Sequence, residues 1–184
     1  MFRLADRYGA TEGRSTLLRV GQVANPAVQG LHDYWLSHAA PGGLMPREAF
    51  DPIDLGALLS NVLFIEVTPK PGDLKIRVAG QEIEERYGRS LRGLSIFETF
   101  PMVRRKDTSH QWSEILSDGL PKYRRGPMVF PNGRVFESER IMLPLSAQGP
   151  RPPSEVAFIL AAIFYRPLDM ETLEMTAICA TLIP

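Results

Sequence analysis

Two glycines five residues apart, Gly88 and Gly93 in "YGRSLRGLS", are the first residues of this 184-residue chain whose spacing suggests chemistry. A loop with that spacing cradles phosphate when a Lys follows the second glycine and a Ser or Thr comes next. The Lys reaches the outer phosphates and the hydroxyl holds magnesium. Here Leu94 stands at the lysine position and only Ser95 matches. The order of elements is also wrong. A phosphate loop leads from a strand into a helix N-terminus, where N–H groups and the helix dipole meet the anion. In this chain the helical turn "QEIEERY" comes before the glycines. Glycines so placed mark turns.

Paired carboxylates are the next candidates. Glu137 and Glu139 in "RVFESERIMLPL" share one side of a strand, and they share it with Ile141, Leu143 and Leu145. An acid–base pair also needs a cleft and pKa values driven apart, and nothing in the sequence supplies either. Arg77, between Ile76 and Val78, is a second charge in an apolar strand. A buried charge needs a partner, so one reading has Glu139 facing inward as a polar anchor held by Arg77 or Arg140. The alternative is a bulge or an open sheet edge that turns the glutamates outward. Three histidines, His32, His38 and His110, give no Ser-His-Asp order. The chain is therefore expected not to be an enzyme.

The single cysteine, Cys179, excludes an internal disulfide and a cysteine-rich zinc site, and it suits a reducing cytoplasm. Lys plus Arg equals Asp plus Glu at 21 each, so no global field favours nucleic acid. The basic clusters Arg104–Lys106 and Lys122, Arg124, Arg125 read as solvated faces. "MFRLADRYGATEGRST" has no apolar run of the kind a secretory signal carries. The longest apolar stretch, 156–165, is half of the roughly 20 residues that span a bilayer as a helix. A cytoplasmic protein without membrane insertion is expected.

These residues are positioned by a mixed set of elements. Residues 1–24 read as a flexible arm. Asn25 caps a helix over 25–39, Pro26 suits its first turn, and Gly42 and Gly43 stop it. Val28, Leu31 and Trp35 fall on its apolar face. A short helix from Pro52 to about Leu59 leads into strands 62–67 and 74–79, joined by the hairpin turn "TPKPGD". Helices follow at 81–87, about 95–100 and about 102–118. Three more strands follow: 121–130, the run "RVFESERIMLPL" and 155–166. "PNG" is a hairpin signal between the first two. The tail, 167–184, reads as either helix or strand.

Strands segregated from helices and linked by hairpins predict an α+β domain over 25–166 with a five-stranded antiparallel sheet. The last strand is apolar on both sides, which requires cover on both faces of the sheet. The middle helices cover one. The helix at 25–39 covers the other, in its own subunit or as a dimer seam.

Six segments in register carry a resemblance: Trp35 in the first helix, "GGLMPREAFDP", "LLSNVLFIEV", "IRVAG", "YGRSLRG" and "ESERIMLPL". Over residues 28–166 the chain resembles a bacterial subfamily of PAS domains, found mostly in alphaproteobacteria and often standing alone. Together with the hairpin links, the resemblance implies that strand 62–67 lies beside 155–166 and that strands 74–79 and 121–130 are the edges. It also implies a non-catalytic sensory or regulatory module in signal transduction. It would act with a protein partner in trans, as a homodimer, and with or without a small apolar or amphipathic ligand between sheet and helices. The pocket candidates are Ile83, Tyr87, Ile96, Phe97, Trp112, Leu116, Ile141, Leu143, Phe158 and Leu160. The same residues would also serve a self-filled core. Flavin–cysteine photochemistry is not expected, because Cys179 lies beyond the matched region. Haem would need an axial ligand, and helix phase turns His110 about 160° away from Trp112, into water.

Overall fold

The computed structural model describes residues 16–17, 25–40, 43–69, 73–99, 105–130, 134–147 and 155–167. Cys179, Arg104 and nearly all of the ambiguous tail lie outside them. The strands are β1 (Thr16–Leu17), β2 (Met45–Pro46), β3 (Val62–Val67), β4 (Leu74–Ala79), β5 (Lys122–Val129), β6 (Val135–Ser146) and β7 (Val156–Pro167). They form one seven-stranded sheet in the order β1-β5-β6-β7-β3-β4, with β2 paired to β6 off that path. Antiparallel pairing puts β3 beside β7, Val62 facing Ala162 and Glu66 facing Phe158.

Two strands are additional to the predicted five, and each is only two residues long. A pair of residues leaves no alternating pattern to read. Thr16–Leu17 sits within the stretch read as an arm, yet it pairs with Arg125 and Arg124. β5 is therefore not an edge strand, whereas β4 ends the sheet. Met45 and Pro46 pair with Leu145 and Ser146 in parallel, a departure from a wholly antiparallel sheet.

Helices α1 (Pro26–His38), α2 (Gln81–Tyr87) and α3 (Arg105–Asp118) cover the sheet, with 3-10 segments at Arg47–Ala49, Pro52–Asn61 and Ile96–Glu98. Asn25 caps α1 by accepting the Ala27 N–H at 3.0 Å. The segment after Pro52 is not a single helix, because Gly56 breaks it with φ 49°. Gly88 and Gly93 have φ of 67° and 86°, so the pair that mimics a phosphate loop shapes the two turns between α2 and the next 3-10 segment.

The apolar run of β7 is explained by its place in the middle of the sheet. Ile159, Ala161 and Ile163 belong to one core with α2 and α3. Leu160 and Ala162 belong to a second core with α1. Val28, Leu31 and Trp35 are at most 5% exposed in that second core. Trp35 also ties α1 to β6, where its Nε1–H donates to the carbonyl of Pro144 at 2.7 Å. β5 accompanies β6 only as far as Met142. Pro144 thus sits where its missing N–H costs no ladder bond to β5.

Candidate functional site

The α2 and α3 side of the sheet encloses a cavity of about 40 Å³. Its apolar wall includes Tyr87, Leu91, Ile96, Trp112, Met128 and Met142, and its polar wall includes Thr99, Gln111, Arg124 and Arg140. On α3, Trp112 and Ile115 are buried at the i, i+3 spacing that puts both on one face, and Leu116 packs partly beside them. Ile83 is fully buried in the same core, and Phe97 packs against it.

Four of the pocket candidates go elsewhere. Leu143, Phe158 and Leu160 pack in the α1 core, as does Ile141, which only borders the cavity. Alternation along a strand separates its two faces correctly, but it does not say which face meets which helix. Met142 and Ala161, each one residue away from those candidates, line the cavity, together with Leu63 and Ile163.

The cavity side of β5 overturns a second expectation. Lys122 and Arg124 are each 8% exposed, not solvated. Lys122 pairs with Asp118 and Arg124 with Glu114, both partners on α3. Strand parity brings these two cations inward, and acids in the last turns of α3 neutralise them. Burial opposes ionisation of Asp118, but bonds from Lys122 and from the Leu120 N–H outweigh it and hold its pKa below the usual carboxylate range. Arg125, with the opposite parity, is half exposed and meets Glu137 at 3.0 Å.

Glu139 is 3% exposed, on the α1 side of the sheet. Its partner is neither Arg77 nor Arg140. Arg166 donates to its Oε1 at 2.6 Å from β7. Glu139 faces Phe164 in the ladder, so Arg166 is its diagonal neighbour on the same face. Arg77 pairs instead with Glu66 on the adjacent strand, with its side chain 48% exposed. Arg140 follows Glu139 directly in β6 and so points to the opposite side. Tyr123, 2% exposed, lies beside Glu139. Burial first, and then the Glu139 carboxylate, push its pKa up to about 12.

A flavin or haem does not fit this cavity. Ligand pockets run to roughly 300–1,000 Å³, against about 40 Å³ here. No His or Cys among the described residues lines the wall. The His110 side chain is 76% exposed and faces Glu114 at 3.7 Å. His38 is exposed, and the His32 side chain is 15% exposed beside Asp33. Among the described residues no three His, Cys, Asp or Glu side chains could hold a metal ion together. No helix among them is long and apolar enough to cross a membrane.

A largely antiparallel sheet with short helices on one face and an N-terminal helix on the other defines an α+β domain. A family model described as PAS domain matches residues 23–159, and the chain belongs to the PAS domain family. No curated protein matches the chain. The fold is similar to that of the Aureochrome1 LOV blue-light photoreceptor, at 10% identity and a TM-score of 0.46, covering 72% of this chain and 98% of that one. It is similar to the Rhodobacter sphaeroides LOV protein at 11% identity and TM-score 0.46, over 83% of this chain and 78% of that one. An RNA-binding light-oxygen-voltage receptor matches at 16% identity and TM-score 0.49, over 78% of this chain and 40% of that one.

Proposed function

We propose that the chain is a non-catalytic PAS module that regulates through a protein partner, with its helix-side core filled by its own side chains. The observation that carries this reading is the cavity of about 40 Å³. That is space for one or a few water molecules. Tyr87, Leu91, Trp112 and Met142 occupy the room that a ligand would need. A homodimer is part of the proposal, but its seam is not Val28, Leu31 and Trp35, whose face of α1 is used within the chain.

The test is native mass spectrometry of the chain purified from its own host, with cross-linking in the same cells. The expected result is a bare polypeptide mass and a reproducible cross-linked protein. A stoichiometric organic molecule retained by the chain would overturn the self-filled core. One observation favours that second reading. The wall joins the apolar Tyr87, Trp112 and Met128 to the polar Thr99 and Gln111, a combination that suits a small amphipathic ligand. A retained amphipathic molecule would establish it.

A further inference from the structure

The regulatory reading leaves open where a partner docks, and the far end of β7 offers a specific place. β3 accompanies β7 only from Phe158 to Ala162. Asn61 Nδ2 then donates to the Ile163 carbonyl at 3.1 Å. The next three residues, Phe164, Tyr165 and Arg166, all line one cleft of about 530 Å³. Successive strand residues point to opposite faces, so a cleft that touches all three follows the strand's edge. The start of α1, at Asn25 and Pro26, and Glu82 and Arg86 on α2 complete its walls.

Among the described residues, three buried polar atoms in those walls have no hydrogen-bond partner: Glu139 Oε2, Arg86 Nε and the Tyr165 hydroxyl. Such atoms are uncommon, because a buried group left unpaired has lost its bonds to water without replacement. They lie on both sides of the sheet. Glu139 is on the α1 side, where Arg166 takes its Oε1 only. Tyr165 is on the α2 side, with the Arg86 guanidinium over its ring at 4.7 Å. Burial raises the Tyr165 pKa well above the usual tyrosine range, so the hydroxyl remains a donor. A compact small molecule cannot reach both faces around one strand edge. An extended polypeptide does so with every second side chain.

We propose that the Phe164–Arg166 edge takes an extended segment of a partner protein as an added strand. This rests on reading the chain as a module that works through a protein. The side chain that reaches the α1 side meets the Glu139 carboxylate and is Lys or Arg. Its neighbour reaches the α2 side, meets the Arg86 N–H and the Tyr165 O–H, and is Asp, Glu, Asn or Gln. The recognised segment is therefore extended, with a basic residue next to an acceptor residue.

Random decapeptides displayed on phage and selected against the full chain test this. The enriched peptides should carry the adjacent basic and acceptor pair among β-branched residues. Binding should slow amide hydrogen exchange at Phe164–Arg166. Glu139→Gln should weaken these peptides about tenfold, and replacing their basic residue with Met should add little in that variant. Arg86→Met, on a half-buried residue, should remove the preference at the acceptor position instead. Peptides that lack the pattern, unchanged exchange at the edge, or no enrichment would overturn the proposal. So would edge amides that are already protected in a concentration-dependent dimer, because a second copy would then be the occupant. If a cellular cross-link survives any of these failures, the partner docks elsewhere and the regulatory reading stands. If none survives, that reading falls too.

Discussion

Replacing Trp35 by Phe isolates the bond that ties α1 to the sheet. Trp35 is 5% exposed, and its indole N–H gives the Pro144 carbonyl a buried partner at 2.7 Å. Phe keeps most of the ring but removes the donor, so the Pro144 carbonyl, which the parallel Met45–Leu145 pairing also engages, loses one of its bonds. A buried hydrogen bond of this kind contributes about 0.5–1.5 kcal/mol. For a domain of this size each kcal/mol shifts Tm by roughly 2–4 °C. Trp35→Phe should therefore lower Tm by about 1–6 °C, and Trp35→Ala, which also opens a cavity, should cost about 3–5 kcal/mol. Thermal melts followed by circular dichroism, repeated over a hundredfold range of protein concentration, read both variants. The loss should be the same at every concentration, because Trp35 packs within its own chain. A Trp35→Phe melt indistinguishable from the parent would refute the buried bond. A loss that shrinks at high concentration would instead place Trp35 at a seam between subunits.

Gly80→Ala should destabilise by about 1–3 kcal/mol in urea unfolding, since an added Cβ would stand 2.3 Å from the backbone oxygen of Ser60, which cannot swing aside. Glu114→Gln should cost more than Glu137→Gln in the same assay. It strips the charge from the partner of an 8%-exposed arginine, whereas the Arg125–Glu137 pair is half exposed and contributes about 1 kcal/mol or less. Tyr123 has a folded pKa of about 12, above the ordinary value near 10, so its stabilising effect is complete below about pH 10 and is lost as pH rises toward 12. Tyr123→Phe should flatten that alkaline limb in a stability–pH profile. An unchanged slope would show that the hydroxyl is not held by its surroundings.

Much of the fold could be read directly from residues close together in sequence. β3, β4 and α2 begin and end where the alternation and the flanking Gly80 and Gly88 predict. The doubly apolar β7 correctly requires cover on both faces. These features are local or follow from a period, and a period survives in one dimension. β1 and β2 were not legible, because two-residue strands exist only through the partners they find. The same limit applies to the site. Alternation in β6 separates Glu139, Ile141 and Leu143 from Arg140 and Met142. Only the packing of α1 on one side and of α2 and α3 on the other decides which set lines the cavity. Sequence also showed that a buried Glu139 needs an arginine, but the choice of Arg166 over Arg77 or Arg140 depends on register between β6 and β7. Register is set across strands far apart in the chain, by cores that form only when the whole sheet closes.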